Sequence, residues 1–207
     1  MPTLRLTSLA VFFLAAAFPL PARASVDADA AGQKAGAIAQ SLDLPWGEPV
    51  EVVRESAAGR YGDREHWVVK YFDFAEVAID AGDGSVVRAS NRSAIAEFMA
   101  QPTAVKTSED EARQRAVQVA TAMGVFSQPV SLYDVQLNEF TEGELYQWHV
   151  RWVRTAEGIP YRSDMAIVML DPTTGKLLGA GRAFWSRPPD ASTSSGPVPR
   201  ELRRPAT

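Results

Sequence analysis

AGQKAGAIAQSL, residues 31–42, returns 81 residues further on as ARQRAVQVATAM, residues 112–123. The shift lays Ala31 on Ala112, Gln33 on Gln114, Ala35 on Ala116 and Ala39 on Ala120. It also lays WVVKY (67–71) on WHVRW (148–152). After a further insertion, IDAGDGSVVRA (79–89) falls on LDPTTGKLLGA (170–180), pairing Asp80 with Asp171 and Gly84 with Gly175. Three blocks repeated in the same order are the mark of a duplicated unit.

The residues of each block predict its element. Ala31, Ala35, Ile38, Ala39 and Leu42 recur at helical spacing, as do Ala112, Ala116, Val119, Ala120 and Met123. Both stretches predict one-sided helices whose small side chains let them approach a sheet closely. Ser108 and Glu111 have the spacing of a capping box before the second helix, and Gly124 stands where a left-handed cap would end it. The strand blocks alternate instead: Trp67, Val69 and Tyr71 share one face, as do Trp148, Val150 and Trp152, with His149 and Arg151 on the other. The Asp-x-x-x-Gly spacing at 80–84 and 171–175 predicts a tight connection closed by a glycine at positive φ. Each unit therefore reads as a helix followed by three or four antiparallel strands, an α+β architecture. Between the units, Ile95, Phe98 and Met99 predict a short helix within residues 91–102.

A histidine and an arginine between two tryptophans invite a catalytic reading of WHVRW. The repeat argues against it, because Trp148 and Trp152 occupy the slots of Trp67 and Tyr71 and so read as core residues of a half-buried strand. His149 follows its tryptophan whereas His66 precedes its own, so the two histidines are not equivalent positions of a duplicated site.

Composition limits what such a chain does. Arg5, an apolar run of 12 residues from Leu9 to Leu20, and Ala22 and Ala24 at small-residue positions predict a secretory signal peptide over residues 1–24. That run is too short for a spanning helix, which needs about 20 apolar residues, and no stable membrane span is expected after processing. The expected organisation is a first unit with its linker helix at 25–103, a second unit at 104–185, and a disordered Pro-, Ser- and Thr-rich tail at 186–207. The mature chain is then expected in the periplasm or the medium. There is no cysteine, which excludes disulfides and thiolate chemistry. Residues 25–185 carry 15 Lys and Arg against 23 Asp and Glu, so the body offers no electrostatic footprint for nucleic acid.

The common catalytic signatures are missing too. Two histidines without cysteine, and no His-Glu-x-x-His spacing, make a poor zinc centre. GDGS (82–85) and SSG (194–196) lack the Gly-x-Ser-x-Gly elbow, and neither glycine-containing hairpin lies between a strand and a helix as a nucleotide loop would. Glu109, Asp110 and Glu111 read as charge at the positive end of a helix dipole. Neither a metal nor a cofactor is expected.

The order of alanine-rich helix, Trp-centred strand and V-x-I-D-x-x-x-G-x-V hairpin resembles the PepSY-type domain of secreted metallopeptidase propeptides and extracytoplasmic bacterial proteins. RWVRTAEGIPYRSDMAIVMLDPTTGKLLG (151–179) is similar to the YcdB and YcdC variety, through Arg154, Gly158, Ile159, Pro160, Asp164, Asp171 and Gly175. The resemblance covers most of residues 30–185. It implies two tandem cystatin-like units, each a helix packed on a curved antiparallel sheet, and a non-catalytic role in binding or inhibiting an extracytoplasmic protein or peptide, a peptidase among them. The expected contact is the loop 155–164, the main insertion distinguishing the copies, with Ile159, Pro160 and Tyr161 as an apolar tip and Arg162 and Asp164 beside it. The alternative is a small-ligand-binding or hydrolytic protein using the concave face of the sheet as its pocket. The inward positions Trp67, Val69, Trp148, Val150 and Trp152 are apolar, which favours the binding module.

Overall fold

In chain order the computed structural model runs α1 (Ala28–Ser41), β1 (Glu51–Ala57), β2 (Arg64–Tyr71), β3 (Ala75–Asp80), β4 (Val86–Asn91), α2 (Arg92–Met99), α3 (Glu109–Ala122), a 3-10 turn at Val125–Ser127, β5 (Val130–Thr141), β6 (Leu145–Ala156), β7 (Ile159–Leu170) and β8 (Leu177–Arg182). It describes residues 25–57, 64–72, 74–141, 144–156 and 158–183. The expected leader and tail lie outside the described residues. Among those residues, no helix is long and apolar enough to cross a membrane.

The 81-residue shift carries the bounds of α1 onto those of α3. Asp27 caps α1 by accepting from the Ala30 amide, and Ser108 and Glu111 form the capping box that starts α3. The alanine stripes lie against the sheet, with Ala31, Ala35, Ala39, Ala112, Ala116 and Ala120 inaccessible to solvent. Close approach is what these small residues permit: a Cβ placed on Gly36 of α1 would lie 3.7 Å from the Tyr71 hydroxyl oxygen on β2.

All eight strands form one antiparallel sheet in the order β1-β2-β3-β4-β8-β7-β6-β5. Each half contributes four consecutive strands, and the halves meet where β4 pairs with β8. In that seam Arg88 opposes Gly181, Ala89 opposes Ala180 and Ser90 opposes Gly179. The offset that laid Asp80 on Asp171 also lays Ala89 on Ala180, so equivalent residues face each other across a local two-fold axis. The core ignores the seam: Val69, Val77, Ile79 and Ala89 of the first half share one buried cluster with Trp148, Val150, Trp152, Val168 and Ala180 of the second. The fold is α+β, with three helices packed on an eight-stranded sheet.

The two Asp-x-x-x-Gly hairpins are built alike. Asp80 Oδ1 accepts from the amides of Gly82 and Asp83, and Asp171 Oδ1 from that of Thr173. Gly84 at φ +68° and Gly175 at φ +70° then close each turn onto the aspartate carbonyl. A helix also forms in the junction, but its buried residues are Ala94 and Phe98. Ile95 and Met99 are left 37% and 50% exposed, because α2 crosses to the face of the sheet opposite α1 and α3 and meets Met169 and Leu178 there.

Candidate functional site

The β6–β7 hairpin carries the residues singled out in the sequence. Its strands are 12 residues each, against 8 and 6 for β2 and β3. The expected loop 155–164 is mostly strand: Thr155 opposes Pro160, Ala156 opposes Ile159, and Gly158 at φ +78° turns the chain between them. Ile159 is 60% exposed, Pro160 and Arg162 are exposed, and Tyr161 is half-buried. The Arg162 guanidinium lies 5.8 Å from the centre of the Tyr133 ring on β5.

Asp164 does not lie beside that tip. The register jumps from Val153 opposite Met165 to Arg154 opposite Tyr161, leaving residues 162–164 as a bulge. Asp164 is turned inward, at 0% exposure, and forms a salt bridge with Arg154, itself 3% exposed. Arg154 Nη1 also reaches Gln128 Oε1 at 3.5 Å. Of the five expected contact residues, Ile159, Pro160, Tyr161 and Arg162 gather at the tip, and Asp164 braces the base.

A second feature was missed in the sequence. On the face turned away from α1 and α3, a groove of about 400 Å³ runs beside α2. Ile95, Phe98 and Met99 form one wall, Ile167 and Met169 the other, and Gly179 and Gly181 the floor. Paired residues of adjacent strands share a face, so Met169 opposite Gly179 and Ile167 opposite Gly181 fix which side these residues take. The floor lacks side chains only in the second half, since the equivalent positions in the first are Arg88 and Ser90. The signal was the alternating glycines of LLGAGR, which periodicity treats as silent.

One end of the groove is charged. Glu76, buried on β3, accepts from Arg92 Nη2 at 2.6 Å and from Arg88 Nη2. Burial works to raise its pKa, but the hydrogen bonds and charges of the two arginines outweigh this and hold the carboxyl below its ordinary value. Both arginine side chains remain about half exposed, so two cations share one anion. At the other end of α2, Glu97 is bound by Lys176 at 2.6 Å.

The histidines occupy the same face but on β2 and β6, five strand spacings apart, roughly 24 Å. They cannot act on one reacting group. His149 is lowered by burial and by the neighbouring Arg151, and its Nε2 lies 3.2 Å from Gln147 Oε1. Arg151 is engaged by Asp134, with Nε to Oδ1 at 2.6 Å. Among the described residues no three His, Cys, Asp or Glu side chains form a group that could hold a metal ion.

Comparison of the chain with protein-family models, curated proteins and solved structures found no match.

Proposed function

We propose that this chain is an extracytoplasmic, non-catalytic binding module, built from two cystatin-like halves of PepSY type, that captures an envelope protein through the tip of the β6–β7 hairpin. The observation that carries the reading is the contrast between tip and base. Ile159, Pro160 and Arg162 are exposed at the end of a hairpin of two 12-residue strands, while the buried Arg154–Asp164 pair braces the strands just behind the tip. A rigid support under a small apolar tip with one flanking cation suits recognition, since little ordering of the tip is needed on binding. Localisation in the periplasm or medium rests on the leader expected from the sequence, and a peptidase is the first partner class to try because of the family resemblance.

The test is a variant in which residues 156–161 are replaced by a two-residue turn. It should keep the far-ultraviolet circular dichroism of the parent and lose capture of the partner from a cell-envelope extract. A purified protein that turns over a substrate, with activity surviving chelation and repurification, would overturn the non-catalytic reading.

A further inference from the structure

Independently of the hairpin, we propose that the groove beside α2 binds a single-chain amphiphile with an anionic head, its hydrocarbon over Gly181 and against Met169 and its head at Arg88 and Arg92. Shape is the first argument. A Cβ placed on Gly181 would approach only the Val87 carbonyl oxygen, at 3.8 Å, so the space above that glycine is open, whereas one on Gly179 would meet the Met169 methyl at 3.0 Å, so the Met169 side chain covers the floor there. Ile167 and Met169 on one side and Ile95 and Met99 on the other flank it with apolar side chains.

The chemistry of the lining selects hydrocarbon over polypeptide. Strand β8 spends its backbone groups on the ladders to β4 and β7, and among the described residues Ser90 and Gln147 are the only uncharged polar side chains in the lining. A peptide main chain laid there would lose hydrogen bonds to water and find few in return. A methylene chain loses none and gains burial.

Charge then selects the head. Arg88 and Arg92 share Glu76, which leaves one net positive charge at the groove end, with guanidinium donors still exposed. The carboxylate at the opposite end, Glu97, is already neutralised by Lys176. On α2, Arg92, Ile95 and Met99 fall at i, i+3 and i+7, so the helix presents the cation and the apolar wall on one face. A carboxylate or sulfate head accepts from such a guanidinium in a charge-assisted hydrogen bond.

Calorimetric titration of the purified chain with dodecanoate and with dodecyltrimethylammonium, each below its micelle-forming concentration, tests this. Dodecanoate should bind one per chain and about tenfold more tightly than the cation, a difference of ~1.4 kcal/mol. Arg88→Gln should weaken dodecanoate about fivefold, and Glu76→Gln, which frees both guanidiniums, should tighten it by a similar factor. Gly181→Leu fills the channel and should abolish binding; Ile95→Asp, at an exposed position of α2, should do the same without touching the core. No dodecanoate binding, equal affinity for the two head groups, or binding that survives both Gly181→Leu and Ile95→Asp overturns the proposal. So does an apolar peptide that displaces dodecanoate at lower concentration, which would make the groove a peptide site.

Discussion

Trp148 donates its indole N–H to the carbonyl of Thr107 at 3.0 Å, and in the other half Trp67 donates to the carbonyl of Val26 at 2.7 Å. The 81-residue shift that carries Trp67 onto Trp148 also carries Val26 onto Thr107, so the same clamp is built twice. Each carbonyl lies one residue before a helix N-cap, Asp27 or Ser108. The tryptophan thus fixes where its helix begins on the sheet, while its ring joins or packs against the core. This is the role of Trp148 in WHVRW; Trp152 is buried in the core, and His149 and Arg151 point to the other face.

Removing the clamp should therefore cost far more than removing the histidine. Trp148→Ala loses both packing and the hydrogen bond and should destabilise by about 3 to 5 kcal/mol. Trp148→Phe keeps much of the packing and should cost about 1 to 2 kcal/mol. His149→Ala should cost less than either. Urea unfolding of the three variants ranks them, and a larger loss for His149→Ala would contradict the assignment.

The Arg154–Asp164 pair should behave as a buried ion pair does. Asp164→Asn leaves a buried guanidinium without its counter-charge and should cost about 3 to 5 kcal/mol. Replacing both residues, Arg154→Met with Asp164→Leu, should recover most of that loss, because two desolvation penalties vanish together. A double-mutant cycle measured by chemical unfolding reads the coupling; additive losses would mean that the pair does not brace the hairpin.

Acid should destabilise the fold in two separable windows. His149 has a folded pKa below its unfolded value of about 6.5, so the unfolded chain binds the proton first. Its contribution is full above that value and is lost as pH falls through 6.5 toward the folded pKa. Glu76 is also lowered, and its stabilisation is present above the unfolded carboxyl pKa of about 4.3 and lost as pH falls through the lower folded value. His66 is lowered by burial too, and Asp83 and Glu111 are lowered carboxyls, so His149→Gln should reduce the slope of the upper window without removing it, and Glu76→Gln that of the lower one. Stability curves from pH 8 to pH 3 check both, and an unchanged slope in either variant removes that residue from the account.

The parts of this fold that local chemistry specifies could be read from the residues. Alanine at helical spacing marked α1 and α3, the Ser108–Glu111 capping box marked a start, and Gly84, Gly124 and Gly175 marked three left-handed turns. The β4–β8 seam could not be read, because nothing local distinguishes an edge strand from one paired with its own symmetry mate 91 residues away. The 155–164 segment read as a loop because it is the main insertion distinguishing the copies; in the structure Gly158 turns the chain and the strands on either side of it run through most of the segment. In α2 the helical spacing of Ile95, Phe98 and Met99 was right, but tertiary packing buried Ala94 and Phe98 and turned the other two toward the groove. Asp164 had no sequence signal for burial, because its partner Arg154 comes within reach only when the hairpin closes.

Capture through the hairpin tip is the central claim, and site-specific photocrosslinking tests it most directly. A photoreactive residue placed at Ile159 is compared with one at Val117, which is 40% exposed on α3. In cells exporting the protein, the account predicts one discrete crosslinked species from position 159, none from position 117, and loss of that species when Arg162 is replaced by Glu. Equal crosslinking from both positions, or none from 159 while the protein is folded and exported, would contradict it.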